Sequence, residues 1–246
     1  MKNWKDNLSF VLVEPREPGN IGASARAMKN MGFMDLCVVN PPPFTDEARW
    51  FARNAHDVLE SASSFATLGD ALRGRSVVVG ATRRKGKNRG AFLSVEEGAK
   101  RIAALAECNK VAILFGREDK GLLNEEVEEC SLLLTIPTSE EQPSLNLAQA
   151  VLIVAYELSR VEYRGSNPAG EVRRLVDHGD LVSLYARISR ALELLGYMPA
   201  GDRDLGKAIM QNLKHFVSRA GITEWEMQML HGICSQVEKV IQGGKE

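Results

Sequence analysis

Three segments of the sequence combine glycine, amide and charged side chains just after runs of apolar residues. The first covers residues 14–26 and contains Gly19, Asn20, Gly22 and Arg26. Glycine permits a tight turn, and the free N–H groups at the start of a helix attract a phosphate or another anion. The residue types of this first segment therefore suit the binding of an anionic ligand.

A dinucleotide-binding loop is the main alternative for this segment. Such a loop has the pattern G-x-G-x-x-G and, about 20 positions further on, an acidic residue that holds a ribose. The segment has only G-x-x-G, and the next apolar run ends in Asn40 and Pro41 instead of an acidic residue. The pattern therefore argues against a dinucleotide site. Taken alone, Asn20 and Arg26 are more typical of a turn and a surface than of a catalytic centre.

The second segment is a basic loop that follows Gly80. Five cationic side chains occur within seven positions, and they are Arg83, Arg84, Lys85, Lys87 and Arg89. A run of charge is often only a solvated surface. The position of this run favours a ligand site, because ligands of open α/β sheets bind beyond the carboxyl ends of the strands. Five cations there would contact a phosphate backbone, and the binding would depend strongly on salt.

The third segment has two parts, residues 114–122 and residues 136–146, and each follows an apolar run. The stretch 143–146 supplies backbone amides, a hydroxyl and a carboxamide, but no general base. Neither part contains a Ser/His/Asp set, a P-loop lysine or a cluster of metal ligands. The histidines lie outside all three segments, at His56, His178, His215 and His231. We therefore expect neither a bound metal nor histidine-based hydrolysis.

The composition is that of an ordinary globular protein. The chain has 246 residues, of which 44% are hydrophobic and 26% charged, and its formal net charge is -1. These values exclude a disordered or collagen-like chain, and the length allows one large domain or a medium domain with a small appendage. The near-zero charge argues against coating nucleic acid with the whole surface. A local basic patch remains compatible with it, since screening limits the reach of distant charges.

The cysteines and the apolar stretches indicate the compartment. Cys37, Cys108, Cys130 and Cys234 are widely separated, as expected for structural thiols in a reducing environment. The first residues lack an apolar signal core, and the longest apolar stretch, 150–156, is far shorter than a membrane span. We therefore expect a cytoplasmic protein without a membrane segment.

The three segments must be positioned by a parallel α/β sheet. Short runs rich in β-branched residues alternate with stretches of helical spacing, and they cover residues 10–13, 36–39, 76–79, 111–115 and 132–136. The runs have almost no polar alternation, which is typical of strands covered by helices on both faces. The sheet therefore places all the candidate loops at the same edge.

The segment 145–158 has hardly any polar face. A helix that is apolar all round is buried on all sides. In a domain of this size, a second subunit could cover the side that the sheet does not cover, although a central helix in a monomer remains an alternative.

The pattern changes after residue 161. Gly, Ser, Asn and Pro between 162 and 170 are typical of a linker, and no strand pattern follows. Asp180 could cap a first helix, a second helix contains Leu205 and Phe216, and Thr223 has the capping-box spacing with Glu226. Residues 171–246 are therefore predicted to form a small all-helical domain, which needs support from the main domain or from a partner.

The three segments together resemble a known family. The stretch 18–26, the stretch 115–118 with Gly121, and Ile136–Pro137 followed by Ser144–Asn146 are similar, in order and distance, to the signature motifs of the SPOUT superfamily of RNA ribose 2′-O-methyltransferases. The similarity is closest to the bacterial enzymes that methylate cytidine or uridine at nucleotide 32 of the tRNA anticodon loop. Those enzymes also carry a helical C-terminal extension.

The resemblance implies a fold, a cofactor and an assembly. It implies a SPOUT domain over residues 1–161 whose part from about 113 to 158 forms a trefoil knot, a rare exception to ordinary topology. It further implies that the knot binds S-adenosylmethionine, that the substrate is tRNA, and that the enzyme is a homodimer with its sites at the subunit interface.

The resemblance also implies roles for individual residues. Arg26 matches the catalytic arginine that activates the ribose hydroxyl, and the other members of the catalytic set are Asn20, Glu118, Ser144 and Asn146. The implied cofactor contacts are Ala81, Thr82, Arg83, Gly116, Ile136, Pro143, Ser144 and Leu145. Part of the basic loop, from Arg83 to Arg89, would face RNA instead of the cofactor.

Three alternatives stay open at this point. The ribose could belong to ribosomal RNA or to another tRNA nucleotide. The protein could also be a non-catalytic RNA-binding dimer, although such a protein has no need of the intact catalytic set. The helical extension could enlarge the RNA footprint through its arginines and lysines, or it could serve only to stabilise a dimer.

Overall fold

The described part of the chain contains a seven-stranded sheet. The computed structural model describes residues 3–83, 92–161, 173–198 and 205–243, without the side chains of 218–220, 242 and 243. The strands are β1 (Leu8–Val13), β2 (Leu36–Val39), β3 (Ser63–Phe65), β4 (Val77–Ala81), β5 (Phe92–Ser94), β6 (Val111–Phe115) and β7 (Leu132–Thr135).

The described strands pair in parallel in the order β3-β2-β1-β6-β4-β7-β5. At the centre, Val11 of β1 is paired with Cys37 of β2 and with Leu114 of β6. The five apolar runs of the sequence are confirmed as strands. The two strands that the sequence pattern missed, β3 and β5, are three-residue strands at the edges of the sheet, too short for a clear apolar signal.

Helices cover both faces of the sheet. In the main domain they are α1 (Pro18–Asn30), α2 (Asp46–Ala52), α3 (His56–Glu60), α4 (Leu68–Leu72), α5 (Val95–Ala106), α6 (Asn124–Glu128) and α7 (Leu147–Ser159), with 3₁₀ turns at Trp4–Asn7 and Arg53–Ala55. Alternate residues of β1 enter different cores, because Phe10 packs with α1, α5 and α7 while Val11 packs with α4 and α6. The parallel α/β fold is thus confirmed, whereas the knot over 113–158 stays a prediction.

Helix α1 is held close to α2 by a glycine. A Cβ added at Gly22 would lie 1.9 Å from the carbonyl oxygen of Ala48. The two helices therefore approach each other at a distance that only glycine permits at this position. This contact fixes α1, which begins at the carboxyl end of β1.

Helix α7 is less buried than the sequence predicts. Val151, Val154, Ala155 and Leu158 are buried, but Leu152 and Tyr156 are 39% and 47% exposed. The expectation of burial on all sides is therefore wrong for a single chain. The reason is that α7 packs against α1 and α5 on one side only, which leaves apolar side chains on the other.

The C-terminal residues form three helices, α8 (His178–Leu194), α9 (Leu205–Ala220) and α10 (Glu224–Gly243). Thr223 donates from its N–H and its hydroxyl to Glu226, as the capping-box spacing predicts. The predicted cap at Asp180 is wrong. Asp177 occupies the N-cap and accepts the N–H of Gly179 at 2.7 Å, because α8 begins one turn earlier than its apolar periodicity suggests. The predicted linker, residues 162–170, lies outside the described residues.

The helical arm, defined here as residues 173–243, leans on the main domain. Asn109 is buried; its side-chain amide donates to the carbonyl of Arg173, and its oxygen accepts the N–H of Leu175. The N–H of His178 donates to the carbonyl of Arg75. Because Arg75 and Asn109 precede β4 and β6, the arm is attached at the amino edge of the sheet, opposite the candidate loops.

None of the described helices is both long and apolar enough to cross a lipid bilayer.

Candidate functional site

A cavity of about 190 Å³ opens at the carboxyl edge of the sheet. The loop after β6 forms one wall and the loop between β7 and α7 forms another, while the end of β4 closes the third side. The residues predicted to contact a cofactor all line it, and they are Ala81, Thr82, Arg83, Gly116, Ile136, Pro143, Ser144 and Leu145. The sheet thus brings together residues that are up to 64 positions apart in the chain.

The loop after β6, residues 116–122, can adopt its shape only with glycine at its start. A Cβ on Gly116 would lie 2.0 Å from the carbonyl carbon of Gly121 and 2.1 Å from the nitrogen of Leu122. Gly121 has φ +62°, in the left-handed region that favours glycine. The loop therefore folds back tightly on itself at the wall of the cavity.

Three of the predicted catalytic residues form a hydrogen-bonded chain beside the cavity. The side-chain amide of Asn20 donates to Glu118 at 2.8 Å, and the amide of Asn146 donates to the oxygen of Asn20 at 2.9 Å. Asn146 also caps α7 by accepting the N–H groups of Ala148 and Gln149. One network therefore connects the starts of α1 and α7 with the loop after β6.

The carboxylate of Glu118 is held in its charged form. Partial burial would raise its pKa, but hydrogen bonds from Asn20 and from the backbone N–H groups of Arg16 and Glu17 outweigh burial. The pKa of Glu118 therefore lies below its ordinary value of 4.5. At neutral pH this group accepts hydrogen bonds and is not a proton donor.

Arg26 lies apart from this network within a single chain. It is exposed on α1, six residues beyond Asn20, and it is not among the residues that line the cavity. Six residues correspond to a rise of about 9 Å along a helix. The resemblance implied that Arg26 and Asn20 belong to one site. In the structure both lie on α1, but Asn20 is buried beside the cavity and Arg26 is exposed.

Ser144 is exposed in the loop between β7 and α7 and lines the cavity. The loop is closed locally by the hydroxyl of Thr138, which donates to the carbonyl of Pro143 at 3.3 Å. Of the basic loop, Arg83 is exposed at the cavity, whereas Arg84, Lys85, Lys87 and Arg89 lie outside the described residues.

Sequence reasoning missed Arg117, the residue between Gly116 and Glu118. Its side chain is only 7% exposed and forms ion pairs with Glu14 and with Glu126, each at 2.9 Å. The signal that could have revealed it is an arginine placed directly at the end of a buried apolar strand. Such a cation needs partners, because an unpaired buried charge is strongly unfavourable.

The thiols and the imidazoles supply no further chemistry at this edge. Burial raises the pKa of Cys37 to about 11, and it also raises the pKa of Cys130. Within the described ranges, no group of three His, Cys, Asp or Glu side chains is placed to hold a metal ion. The carboxyl edge therefore combines three features: a cavity whose wall depends on glycines, a chain of amide and carboxylate hydrogen bonds, and arginine side chains.

The sequence comparison is consistent with this geometry. Residues 7–156, which include the sheet and all three candidate segments, match the profile of the SpoU rRNA Methylase family. The chain belongs to the SpoU methylase family. The match ends in α7, so the family domain contains the whole cavity and excludes the helical arm.

Individual relatives extend over the arm as well. The chain is 35% identical over 250 residues to the tRNA (cytidine/uridine/adenosine-2′-O-)-methyltransferase TrmJ of Pseudomonas aeruginosa, covering 97% of this chain and 96% of that protein. Among solved structures, TrmJ from Z. mobilis ZM4 superposes with a TM-score of 0.79 at 30% identity, covering 94% of this chain and 98% of that one.

A more distant SpoU methyltransferase is similar in fold alone. AviRb from Streptomyces viridochromogenes, solved in complex with the cofactor AdoMet, has a TM-score of 0.51 and 21% identity, covering 62% of this chain and 59% of that one. The fold of the SpoU methylase domain is therefore shared well beyond the relatives that also carry a helical arm.

Proposed function

We propose that this protein is an enzyme that transfers a methyl group from S-adenosylmethionine to a ribose 2′-hydroxyl of tRNA. The observation that carries the proposal is that residues of the second and third family motifs line one cavity, and that Asn20 of the first motif is hydrogen-bonded to Glu118 and Asn146 beside it. The substrate class is supported by the relative from Pseudomonas aeruginosa. That protein is a tRNA 2′-O-methyltransferase, and this chain matches it over almost its entire length.

The residues that line the cavity fit this cofactor. The loop 116–122 lies so close to itself at Gly116 that a side chain there would fill the space beside its backbone. Apolar Phe115, Ile136 and Leu145 in the lining suit the faces of an adenine, and Thr82, Thr138 and Ser144 supply polar side chains beside them. When bound, S-adenosylmethionine supplies an electrophilic methyl group on a sulfonium.

The reaction requires little acid–base chemistry from the protein, because only the hydroxyl proton has to be removed. The leaving group departs as a neutral thioether, so the protein must align the hydroxyl oxygen with the methyl carbon and assist in removing the hydroxyl proton. Holding two reactants in line contributes up to roughly 7–11 kcal/mol. The network of Asn20, Glu118 and Asn146 would supply this rigidity by fixing the elements around the cavity.

We assign the activation of the hydroxyl to Arg26. An arginine has a pKa above about 12 and is a poor base in water. It is better suited to act as a cation that stabilises the developing alkoxide and binds an adjacent phosphate through two hydrogen bonds, while the hydroxyl proton passes to a solvent water molecule. Its exposed position on α1 leaves the guanidinium accessible to RNA.

We further propose that the active form is a homodimer. Leu152 and Tyr156 leave an apolar strip on α7, and such a strip is expected to be covered. Helix α1, which carries Arg26, packs directly against α7. A dimer formed through α7 would therefore place Arg26 at the subunit interface, where a second chain would complete the site.

The arm is proposed to enlarge the RNA footprint together with the basic loop. Arg173, Arg174 and Arg190 are exposed on it. Two other cations of the arm already have partners within the protein. Arg187 donates to Ser235 and Glu238, and Lys214 is paired with Glu129. The footprint proposed for the arm therefore rests on its exposed arginines.

The proposed target is cytidine or uridine at nucleotide 32 of the anticodon loop, and the proposed location is the cytoplasm. Mass spectrometry of nuclease fragments, which keep the sequence around each modification, from tRNA and from ribosomal RNA of a deletion strain tests the target. We expect one 2′-O-methylated pyrimidine to disappear from position 32 of tRNA. Loss of the modification from ribosomal RNA, or from another tRNA nucleotide, would establish the alternative substrate.

A further inference from the structure

We infer that Arg117 is a positioning residue that fixes the loop 116–122 in the shape that binds S-adenosylmethionine and ties that loop to the segment leading into α1. The inference rests on the proposed function for the identity of the cofactor. The anchoring itself rests on contacts of the described residues. The role inferred for Arg117 differs from that of Arg26, because Arg117 would act through the loop and would not contact the ribose.

The guanidinium of Arg117 joins two elements that enclose the loop. Its Nε donates to Glu14, which follows β1, at 3.0 Å, and its Nη2 forms an ion pair with the same carboxylate at 2.9 Å. Its Nη1 donates to Glu126, in the first turn of α6, at 3.1 Å. Because β1 lies beside β6 in the sheet and α6 follows the loop in sequence, one side chain sets both boundaries of the cavity wall.

The backbone of the same loop is closed by matching hydrogen bonds. The carbonyl of Arg117 accepts the N–H of Gly121 at 2.7 Å, and Glu126 accepts the N–H of Leu123 at 2.7 Å. Glu126 thus binds the side chain that enters the loop and the backbone that leaves it. Removing Arg117 would leave the buried carboxylate of Glu126 without its cation and would loosen the exit of the loop.

Three consecutive residues connect this loop with the segment 14–17. Arg117 pairs with Glu14, Glu118 accepts the N–H groups of Arg16 and Glu17, and Asp119 pairs with Arg16 at 2.9 Å. Glu14 has φ +47°, an unfavourable conformation for a residue with a side chain, so its ion pair holds the segment in a conformation that it would otherwise leave. The segment then leads directly into the helix that carries Asn20.

The chemistry of the side chain points to positioning and away from proton transfer. Burial would lower the pKa of Arg117, but the hydrogen bonds and charges of Glu126 and Glu14 outweigh it, and the pKa lies above its ordinary value. The planar guanidinium of Arg117 also contacts two carboxylates at once. The single ammonium of a lysine cannot reproduce this geometry and would bind the two carboxylates more weakly. Arginine is therefore the residue type that this anchor requires.

The test compares Arg117→Met and Arg117→Lys with the control Arg73→Met, which breaks only the exposed pair with Asp70 of α4. Calorimetry gives the Kd for S-adenosylmethionine, and steady-state assays with tRNA give KM and kcat. We expect Arg117→Met to raise both the Kd and the KM for S-adenosylmethionine at least about tenfold, because the loop shapes the cofactor site. The kcat at saturating cofactor should fall much less. Arg117→Lys should recover part of the affinity, and the control should stay within about twofold.

A second variant guards against misfolding. Arg117→Met combined with Glu126→Gln removes the unpaired buried charge, keeps an acceptor for the N–H of Leu123, and should regain the wild-type melting temperature without regaining cofactor affinity. Wild-type affinity in either Met variant, or a fall in kcat at unchanged Kd, would overturn the assignment of Arg117. Failure of the wild-type protein to bind S-adenosylmethionine would instead refute the proposed function.

Discussion

The carboxyl edge of the sheet and the helical arm are built in opposite ways. At the carboxyl edge, Asn20, Glu118 and Asn146 are joined by hydrogen bonds, and Arg117 beside them is paired with Glu14 and Glu126. Among its described residues, the arm has a core cluster of six buried side chains and leaves Trp225 and Phe216 exposed by 73% and 65%. The carboxyl edge is thus organised by polar contacts between distant residues, and the arm by a small apolar core.

Besides the backbone bonds of buried Asn109, partly exposed side chains connect the arm with the main domain. Glu129 accepts from His178 and pairs with Lys214, and Gln211 donates to Glu128. Partly exposed polar contacts of this kind contribute about 0.2–1 kcal/mol each. The comparison therefore predicts large effects for small changes at the carboxyl edge and small effects for similar changes in the arm.

The same glycine-to-alanine change should separate the two regions most clearly. Gly116→Ala places a Cβ 2.0 Å from the backbone of Gly121, so the loop must move, and we expect cofactor binding to be lost in calorimetry. The matched control is Gly232→Ala in α10, where no atom lies within 4 Å of the new Cβ. That control should keep full affinity and gain up to about 1 kcal/mol of stability from helix propensity. Similar outcomes for the two variants would remove the contrast.

The amide network should show the next largest effect. Asn20→Ala removes the donor to Glu118 and the acceptor of Asn146, and we expect kcat to fall by about 10²-fold as the starts of α1 and α7 lose their alignment. Gln211→Ala, which removes one amide contact between the arm and α6, should change kcat by less than about twofold. Single-turnover kinetics at saturating cofactor measure both. An equal loss in the two variants would mean that the network has no special role.

The exposed arginines of the arm should affect affinity and not chemistry. Replacing Arg174 and Arg190 with Gln should weaken tRNA binding and reduce the slope of log K against log salt by about 2, since each phosphate contact contributes about 0.9. Arg187→Gln breaks contacts with Ser235 and Glu238 and should destabilise the arm without changing that slope. Filter binding at several salt concentrations decides the matter. An unchanged slope in the double variant would indicate that the arm only supports the fold or a dimer.

The pH dependence of the arm should be the smallest effect. Burial lowers the pKa of His178 below its ordinary 6.5 and outweighs the attraction of Glu129 and Asp177, while Lys214 lowers it further. The unfolded arm then binds more protons than the folded arm once the pH falls below 6.5. The contribution of His178 to stability is therefore complete above pH 6.5 and declines as the pH falls towards the lowered pKa of the folded arm.

Hydrogen exchange of α8 at pH 7.5 and at lower pH measures this decline, and His178→Gln, which keeps a donor towards Glu129, should abolish it. Greater protection of α8 at lower pH would show that a charged pair between His178 and Glu129 dominates instead.

The sequence predicted the elements that have strong local signals. The runs at 36–39 and 111–115 were identified as strands because they are apolar throughout, and the capping-box spacing located the start of α10 at Thr223. Signals that were weak or ambiguous gave errors. The edge strands β3 and β5 are too short to recognise, and Asp177 and Asp180 both suit an N-cap by residue type, so only the backbone decides between them.

The candidate site divides along similar lines. The resemblance selected residues that line the cavity, but the hydrogen bonds that organise them join residues 98 and 126 positions apart and follow from no local spacing. Arg117 was missed because its importance depends on Glu14 and Glu126, which only the fold brings near. For α7 the sequence pattern predicted an apolar side that the sheet does not cover, and the exposed Leu152 and Tyr156 identify that side.

The central claim is that Arg26 acts on the ribose while the cavity binds the cofactor independently of it. Calorimetry of S-adenosylmethionine binding and single-turnover methyl transfer to tRNA, both on Arg26→Ala, test this directly, with Arg49→Ala on the neighbouring helix as an exposed control. We predict a cofactor Kd within about twofold of wild type and a transfer rate at least about 10²-fold lower, with both values normal in the control. A parallel loss of cofactor binding, or normal transfer, would contradict the account.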